Sequence, residues 1–265
     1  MKVSGFTFIR NAILYDYPIV EAITSILPIC DEFIVAIGHS DDQTTALINS
    51  INSPKIKIIP TVWDDTLRAG GRVLAVETDK AFAAIASDSD WCFYIQGDEC
   101  VHEKYLPIIK EAMELNLLDK RVEGLLLNYL HFYGSYDFIG TARKWYRNEI
   151  RIIRNNKNIS SFRDAQGFRI DNRKLNVKKI AAAVYHYGWV KHPEKQQAKA
   201  ETFNKLWHSD QWVEKNIPKV SGFDYSNVDG LKRFTGNHPE VMKNRIAAIN
   251  WEFDFDPTKK KMKFK

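Results

Sequence analysis

Apolar positions along the first part of the chain follow two periods that take turns. Short apolar runs rich in β-branched and aromatic residues predict buried strands, and apolar residues recurring every three or four positions predict helices. Phe6 to Arg10 is the first such run, and Arg10-Asn11 end it. Asp16 and Pro18 then open a helix, an acid in the capping position ahead of a proline near the first turn. Ile19, Ile23, Ile26 and Leu27 share one face of it. A second strand, Phe33 to Ile37, stops at Gly38 and the polar loop His39 to Thr44. A helix over Thr45 to Ile51 leads to a third strand, Lys55 to Ile59, closed by Pro60. After Gly70-Gly71 a helix runs from Arg72 to Ala86, with Leu74, Thr78, Ala81, Phe82 and Ile85 inward, and feeds the run Trp91 to Ile95. Glu103 to Leu115 is the next helix. Strand and helix alternate, which predicts an α/β fold with a mostly parallel central sheet.

The second half is less regular. Gly124 to Tyr133 and Ala181 to Trp189 are long apolar strands. Arg143 to Arg154 alternates, with Arg147, Arg151 and Arg154 set among Ile150 and Ile152, and reads as half-exposed. From Pro193 the chain turns charged and helical to Trp212, loop-rich over Asn216 to Asn237, and helical again over Val241 to Ile249. No repeat and no Gly, Ser or Pro linker divides it. The expected organisation is one domain over residues 1–192, in halves 1–110 and 111–192, with a helical C-terminal appendage over 193–265.

Composition adds limits. The 265 residues are 45% hydrophobic and 27% charged, enough for a packed core and too apolar for disorder. The net charge of +5 suits an anionic substrate. Part of it lies in the tail Lys259 to Lys265, which could touch anionic lipid as a peripheral contact, or nucleic acid, but reads more simply as a solvated end. No nucleic-acid partner is expected. Cys30, Cys92 and Cys100 form neither a paired pattern nor a zinc spacing, which points to a reducing compartment. No segment has the length of a membrane span, and Arg10 interrupts any signal-like start, so a cytoplasmic location is expected.

Candidate chemistry gathers at the strand ends. The run Trp91 to Ile95 stops in Gln96-Gly97-Asp98-Glu99. In a parallel α/β sheet this places two acids at the carboxyl edge, where ligands bind. Paired hard oxygen ligands there suit Mg²⁺ or Mn²⁺ carrying a diphosphate, and a strand ending in a polar loop is the plainer reading. Arg10-Asn11, Ser40 to Thr44 and His186 lie at other strand ends, and Arg68 and Arg72 in the loop after the third strand could meet phosphate oxygens. The chain has no Gly-x-Gly-x-x-Gly, no Gly-Lys-Ser/Thr phosphate loop and no Gly-x-Ser-x-Gly elbow, which removes the dinucleotide, Walker-type and serine-hydrolase classes.

Taken in order, these stretches resemble the family 2 glycosyltransferases with the A-type nucleotide-sugar fold. The resemblance runs over about residues 4 to 110 and more loosely to about 190. Arg10-Asn11 matches the polar end of the opening strand, Ser40-Asp41-Asp42-Gln43-Thr44 the Ser-x-Asp-x-Thr after the second, Gly71 to Ala83 the glycine-then-helix segment, and Gln96-Gly97-Asp98-Glu99 the acidic Asp-x-Asp-Asp motif. The chain departs from the pattern at the end of the second strand, where Ile37 or Gly38 replaces an Asp, and at Gln96, which gives a metal no charge.

The resemblance implies a Rossmann-like three-layer sandwich of the nucleotide-diphospho-sugar transferase type, with a donor-binding half before residue 110 and an acceptor-side half after it. It implies transfer of a sugar from a nucleotide-diphosphate donor to a glycan or other hydroxyl acceptor, with inversion. Asp98, Glu99 and His186 would hold the metal, and Arg10, Asn11, Asp42, Arg72, Glu77, Thr78 and Gln96 would contact the donor. Asp164 in the loop Ser161 to Phe168 would be the base, or would pair with Arg163 or cap a turn, with Asp171 and Glu149 as alternatives. Trp145, Tyr146, Tyr187 and Trp189 could stack on sugar or base faces, or fill the core. The rival readings are a nucleotidyltransferase, for which residues 10–18 lack the Gly-rich basic loop, and a non-catalytic sugar- or nucleotide-binding protein.

Overall fold

Parallel pairing organises the first half of the chain. The structure, a computed structural model, describes residues 1–228, 230–253 and 255, so the lysine-rich tail 259–265 lies outside the described residues. Strand β1 (Val3–Ile9) pairs in parallel with β2 (Glu32–Gly38), and β2 with β3 (Ile56–Thr61). Helices α1 (Ile19–Ile26), α2 (Thr44–Asn49) and α3 (Arg72–Ala83) make the crossovers, and β4 (Trp91–Tyr94) returns beside β1. Two cores follow from this arrangement. Ile19, Ile23 and Ile26 of α1 pack on Phe33, Val35 and Ile37 on one face of the sheet. Val73, Leu74, Ala81 and Phe82 of α3 pack on Phe6, Ile34 and Ala36 on the other. Coverage on both faces makes three layers, and it explains why these strands read as unbroken apolar runs rather than alternating ones.

The second half adds antiparallel strands to the same sheet. In chain order come β5 (Glu99–Val101), α4 (Leu106–Leu115), β6 (Gly124–Tyr133), β7 (Ser135–Gly140) and β8 (Asn148–Arg154). Then follow β9 (Ile159–Phe162), β10 (Gly167–Ile170), β11 (Arg173–Lys174), β12 (Val177–Trp189), α5 (Pro193–Lys205), α6 (Asp210–Asn216), β13 (Leu231–Arg233) and α7 (Lys243–Ala247). The main sheet runs β13-β7-β6-β8-β4-β1-β2-β3, with β12 parallel to β6 and β5 antiparallel to β12. Strands β9 to β11 form a small separate sheet.

Several elements differ from the sequence expectation for physical reasons. Pro60 lies inside β3 rather than closing it, which an edge strand tolerates because the missing N–H faces no partner. Asp16 does not cap α1; it sits at φ 50 and its carboxylate pairs with Arg245 at 2.5 Å. Strand β8 is not half-exposed: it lies between β4 and β6, and Arg151 and Arg154 are buried. The helix expected from Pro193 to Trp212 breaks into α5 and α6, with the Ser209 hydroxyl accepting from the Trp212 N–H at the new start. The segment after residue 192 is not only helical, since β13 pairs antiparallel with β7 and extends the main sheet.

Candidate active site

The strand Trp91–Tyr94 delivers its acids to two different environments. Glu99 opens β5, pairs in register with His186 of β12, and is fully buried. Arg151 grips it through two bonds, Nη2 to Oε1 at 2.6 Å and Nε to Oε2 at 2.8 Å. The Tyr129 hydroxyl donates to Oε1 and the Gln96 N–H to Oε2 at 3.1 Å. Four donors use the four lone-pair positions a carboxylate offers. Glu99 is therefore a bracket between β5, β6 and β8, with no oxygen left for a ligand.

Asp98 faces the cleft. Its Oδ2 accepts from Lys199 Nζ at 3.1 Å, and its Oδ1 lies 3.7 Å from His186 Nε2. Burial pushes this carboxyl up, but the positive charge beside it, Lys199 foremost, outweighs burial and holds it well below the usual range. Burial lowers His186, whose Nδ1 shares a 3.2 Å hydrogen bond with His131 Nδ1. Burial also drives His131 down to about 3, so both rings are neutral near pH 7. Gly188 permits the approach, because a Cβ there would lie 2.6 Å from both Asp98 Oδ2 and His186 Nε2.

Around Asp98 opens a cavity of about 700 Å³. One end is built from the β1 terminus, where Arg10 pairs with Asp65 at 3.0 Å and lies 5.5 Å from the Trp63 ring centre. Gln96 borders it, its amide donating to the Ala165 carbonyl at 3.1 Å. The far wall carries Trp145, Tyr146 and Trp189. Two more acids line it. Asp164 sits in the β9–β10 turn between Arg163 and Ala165, both at positive φ. Burial raises Asp164, and burial raises Glu149 to about 7. Gly71, at φ 69, keeps the α3 start close to Asp164, since a Cβ would meet the Asp164 Cβ at 2.8 Å. Helix α5 closes the cleft with Gln196, Lys199, Ala200 and Phe203, one face at helical spacing.

Of the residues expected at the site, Arg10, Asn11, Gln96, Asp98, Asp164 and His186 border this one cavity. Asp42, Arg72, Glu77 and Thr78 are outside its lining. Asp42 holds the loop after β1, accepting from the Ile13, Leu14 and Thr44 N–H groups. Glu77 is buried and pairs with Lys80 at 2.5 Å, and the Thr78 hydroxyl bonds back to the Leu74 carbonyl at 2.8 Å. Arg72 is the exposed first residue of α3. Tyr187 is in the core, hydrogen-bonded to His238, whereas Trp145, Tyr146 and Trp189 face the cleft. Sequence reasoning missed Lys199, Arg151, Tyr129 and Tyr17. Only Arg151 left a trace, as a charge inside an apolar strand.

The expected metal set does not fit. Mg²⁺ and Mn²⁺ need several hard oxygen ligands close to the ion. Glu99 is saturated, and Asp98 already bonds a buried ammonium. Among the described residues no group of three His, Cys, Asp or Glu is placed to hold a metal ion.

No protein-family model matches the chain, and no curated protein gives a significant match. Solved structures do resemble it. TarS of S. aureus is 14% identical with a TM-score of 0.43, over 76% of this chain and 39% of that one. TarS 1-349 in complex with UDP is 13% identical with a TM-score of 0.44, over 83% and 68%. Glucosyl-3-phosphoglycerate synthase from Mycobacterium tuberculosis, in complex with Mn²⁺, UDP and phosphoglyceric acid, is 18% identical with a TM-score of 0.34, over 49% and 43%. This chain thus spans well under half of the full TarS chain. All three likenesses are at 18% identity or less and at TM-scores of 0.44 or less.

Proposed function

We propose that the protein is a glycosyltransferase that moves a sugar from a nucleotide-diphosphate donor to a hydroxyl acceptor with inversion. The observation that carries this reading is the single cavity in which buried Asp98, held by Lys199, shares one space with the acids Asp164 and Glu149 and with an aromatic wall. Its lining holds six Lys/Arg against four Asp/Glu, a balance that favours an anionic donor. Arg10, Asn11 and Gln96 form the nucleotide end. Trp145, Tyr146 and Trp189 offer flat faces to the sugar and acceptor.

Asp164 is the base. Burial raises its carboxyl from the ordinary value, so it takes a proton more readily than an exposed aspartate does. It removes the acceptor hydroxyl's proton as that oxygen attacks the anomeric carbon and the nucleoside diphosphate leaves from the opposite face. Glu149, near neutrality in its own right, adds negative charge beside Asp164.

The test is nucleoside diphosphate release from a panel of UDP-, GDP-, CDP-, dTDP- and ADP-sugars, with and without a simple glycan acceptor. Asp164→Asn should lower the rate about 10²- to 10⁴-fold while leaving diphosphate affinity within about threefold. If no nucleoside diphosphate binds the wild type, or if Asp164→Asn turns over normally, the reading fails.

A further inference from the structure

The cation beside Asp98 belongs to the chain itself. Lys199 Nζ donates to Asp98 Oδ2 at 3.1 Å and to the Gly188 carbonyl at 3.2 Å. It also lies 4.9 Å from the Tyr17 ring centre and 5.9 Å from that of Phe203. Its side chain is only 13% exposed, and that exposure faces the cleft. A second lysine, Lys191, is fully buried behind it, donating to the Asp16 carbonyl and lying 4.6 Å from the Tyr17 ring centre. Lys199 thus sets a positive charge against the one cleft-facing carboxylate without any bound ion, while burial and the Lys199 charge lower Lys191 to about 7.

We propose that Lys199 is the electrophilic cation of the transfer, taking the place expected of a divalent metal. The proposal rests on the transferase reading above. Three observations carry it. Glu99, the acid that would complete a metal shell, is saturated by Arg151, Tyr129 and the Gln96 N–H. A divalent ion on Asp98 would be driven against an ammonium 3.1 Å from the same oxygen, between side chains that are themselves largely buried. Lys199 sits on α5, stiffened by an N-terminal Pro193 and capped by His192, so the charge is preorganised rather than recruited.

In the step itself the acceptor oxygen forms a new bond to the anomeric carbon, and its proton passes to Asp164. The bond from that carbon to the diphosphate oxygen breaks, and the diphosphate keeps the electron pair. The new negative charge develops against Lys199. One of the three ammonium N–H groups turns from Gly188, its longer partner, to a phosphate oxygen, while Asp98 keeps the head in place. Asp98 is then a positioning residue for the lysine.

The experiment measures binding of UDP, GDP, CDP, dTDP and ADP to the full chain by thermal shift, once in EDTA and once in MnCl₂. Calorimetry follows on the best ligand with wild type, Lys199→Arg and Lys199→Met. Stabilisation in EDTA should match that in Mn²⁺, with affinities within about threefold. Lys199→Met should lose about tenfold or more in both media, the loss expected for one charged hydrogen bond, and Lys199→Arg should recover most of it. Far-ultraviolet circular dichroism confirms that the variants fold, and the wild-type comparison needs no variant. Binding that appears only with Mn²⁺ would overturn the proposal and leave the transferase reading standing. A Lys199→Met protein that binds as the wild type does in Mn²⁺ would also overturn it, since the lysine would then be a plug that a metal displaces. If no nucleoside diphosphate binds in either medium, both readings fall.

Discussion

Removing Arg151 should expose what Glu99 is for. Both partners are buried, with side-chain exposures of 2% and 0%, and they are joined by two short parallel bonds. Arg151→Met keeps the volume of the stem but strands a carboxylate in the core with only Tyr129 and one backbone N–H. Breaking a buried pair from one side costs about 3–5 kcal/mol, because the remaining charge has lost its solvent and its partner. For a chain of this size that lowers the melting temperature by roughly 6–15 °C. Adding Glu99→Gln to Arg151→Met removes the stranded charge and should recover at least about half of the loss. Urea unfolding followed by tryptophan fluorescence reads all three variants. The reasoning is refuted if Arg151→Met stays within about 1 kcal/mol of the wild type. It is refuted equally if Glu99→Gln alone costs no stability but abolishes a Mn²⁺-dependent activity, since Glu99 would then serve a ligand and not the sheet.

Other outcomes follow from the same geometry. Burial raises Glu149 from 4.5 to about 7, so the folded state holds this proton more tightly than the unfolded chain does. Its contribution is then fully present below about pH 4.5 and is lost as pH rises to about 7, by at most about 3 kcal/mol. Glu149→Gln should flatten that part of a stability–pH profile measured by urea titration, and an unchanged profile would refute the assignment. Gly188→Ala inserts a methyl 2.6 Å from Asp98 Oδ2 and His186 Nε2. It should cost about 1–3 kcal/mol and weaken nucleoside diphosphate binding, whereas Gly70→Ala, at φ 63 with nothing within 4 Å, should cost about 1–2 kcal/mol through backbone strain alone and leave binding unchanged; calorimetry on both separates a local clash from general damage.

The parallel half of the fold was open to reading because its signals are local. A buried strand must be apolar on both faces, and α1 and α3 must present stripes to it, so Phe33 to Ile37 and Val73 to Phe82 announce themselves without knowledge of their partners. The sharp end of the strand at Gly97-Asp98 follows from the same rule, as a polar group can appear only where the strand leaves the core. The helical and half-exposed readings of the second half rest on no such local rule. Alternation around Arg151 looked like a wet face, yet β8 is flanked by strands on both sides and its arginine is paid for by a carboxylate 52 residues away.

Sequence by itself determined the three-layer α/β plan and the carboxyl edge where the polar strand ends meet, and it singled out Asp98, Asp164 and His186, which border one cavity. Tertiary structure alone decided how the two neighbouring acids divide. β5 pairs with β12, so successive side chains leave on opposite sides. Glu99 turns into the core onto Arg151, and Asp98 turns to the cleft, where Lys199, 101 residues further along the chain, meets it. No local pattern marks that lysine among the charges of α5, because the partner that gives it meaning is brought there only by packing.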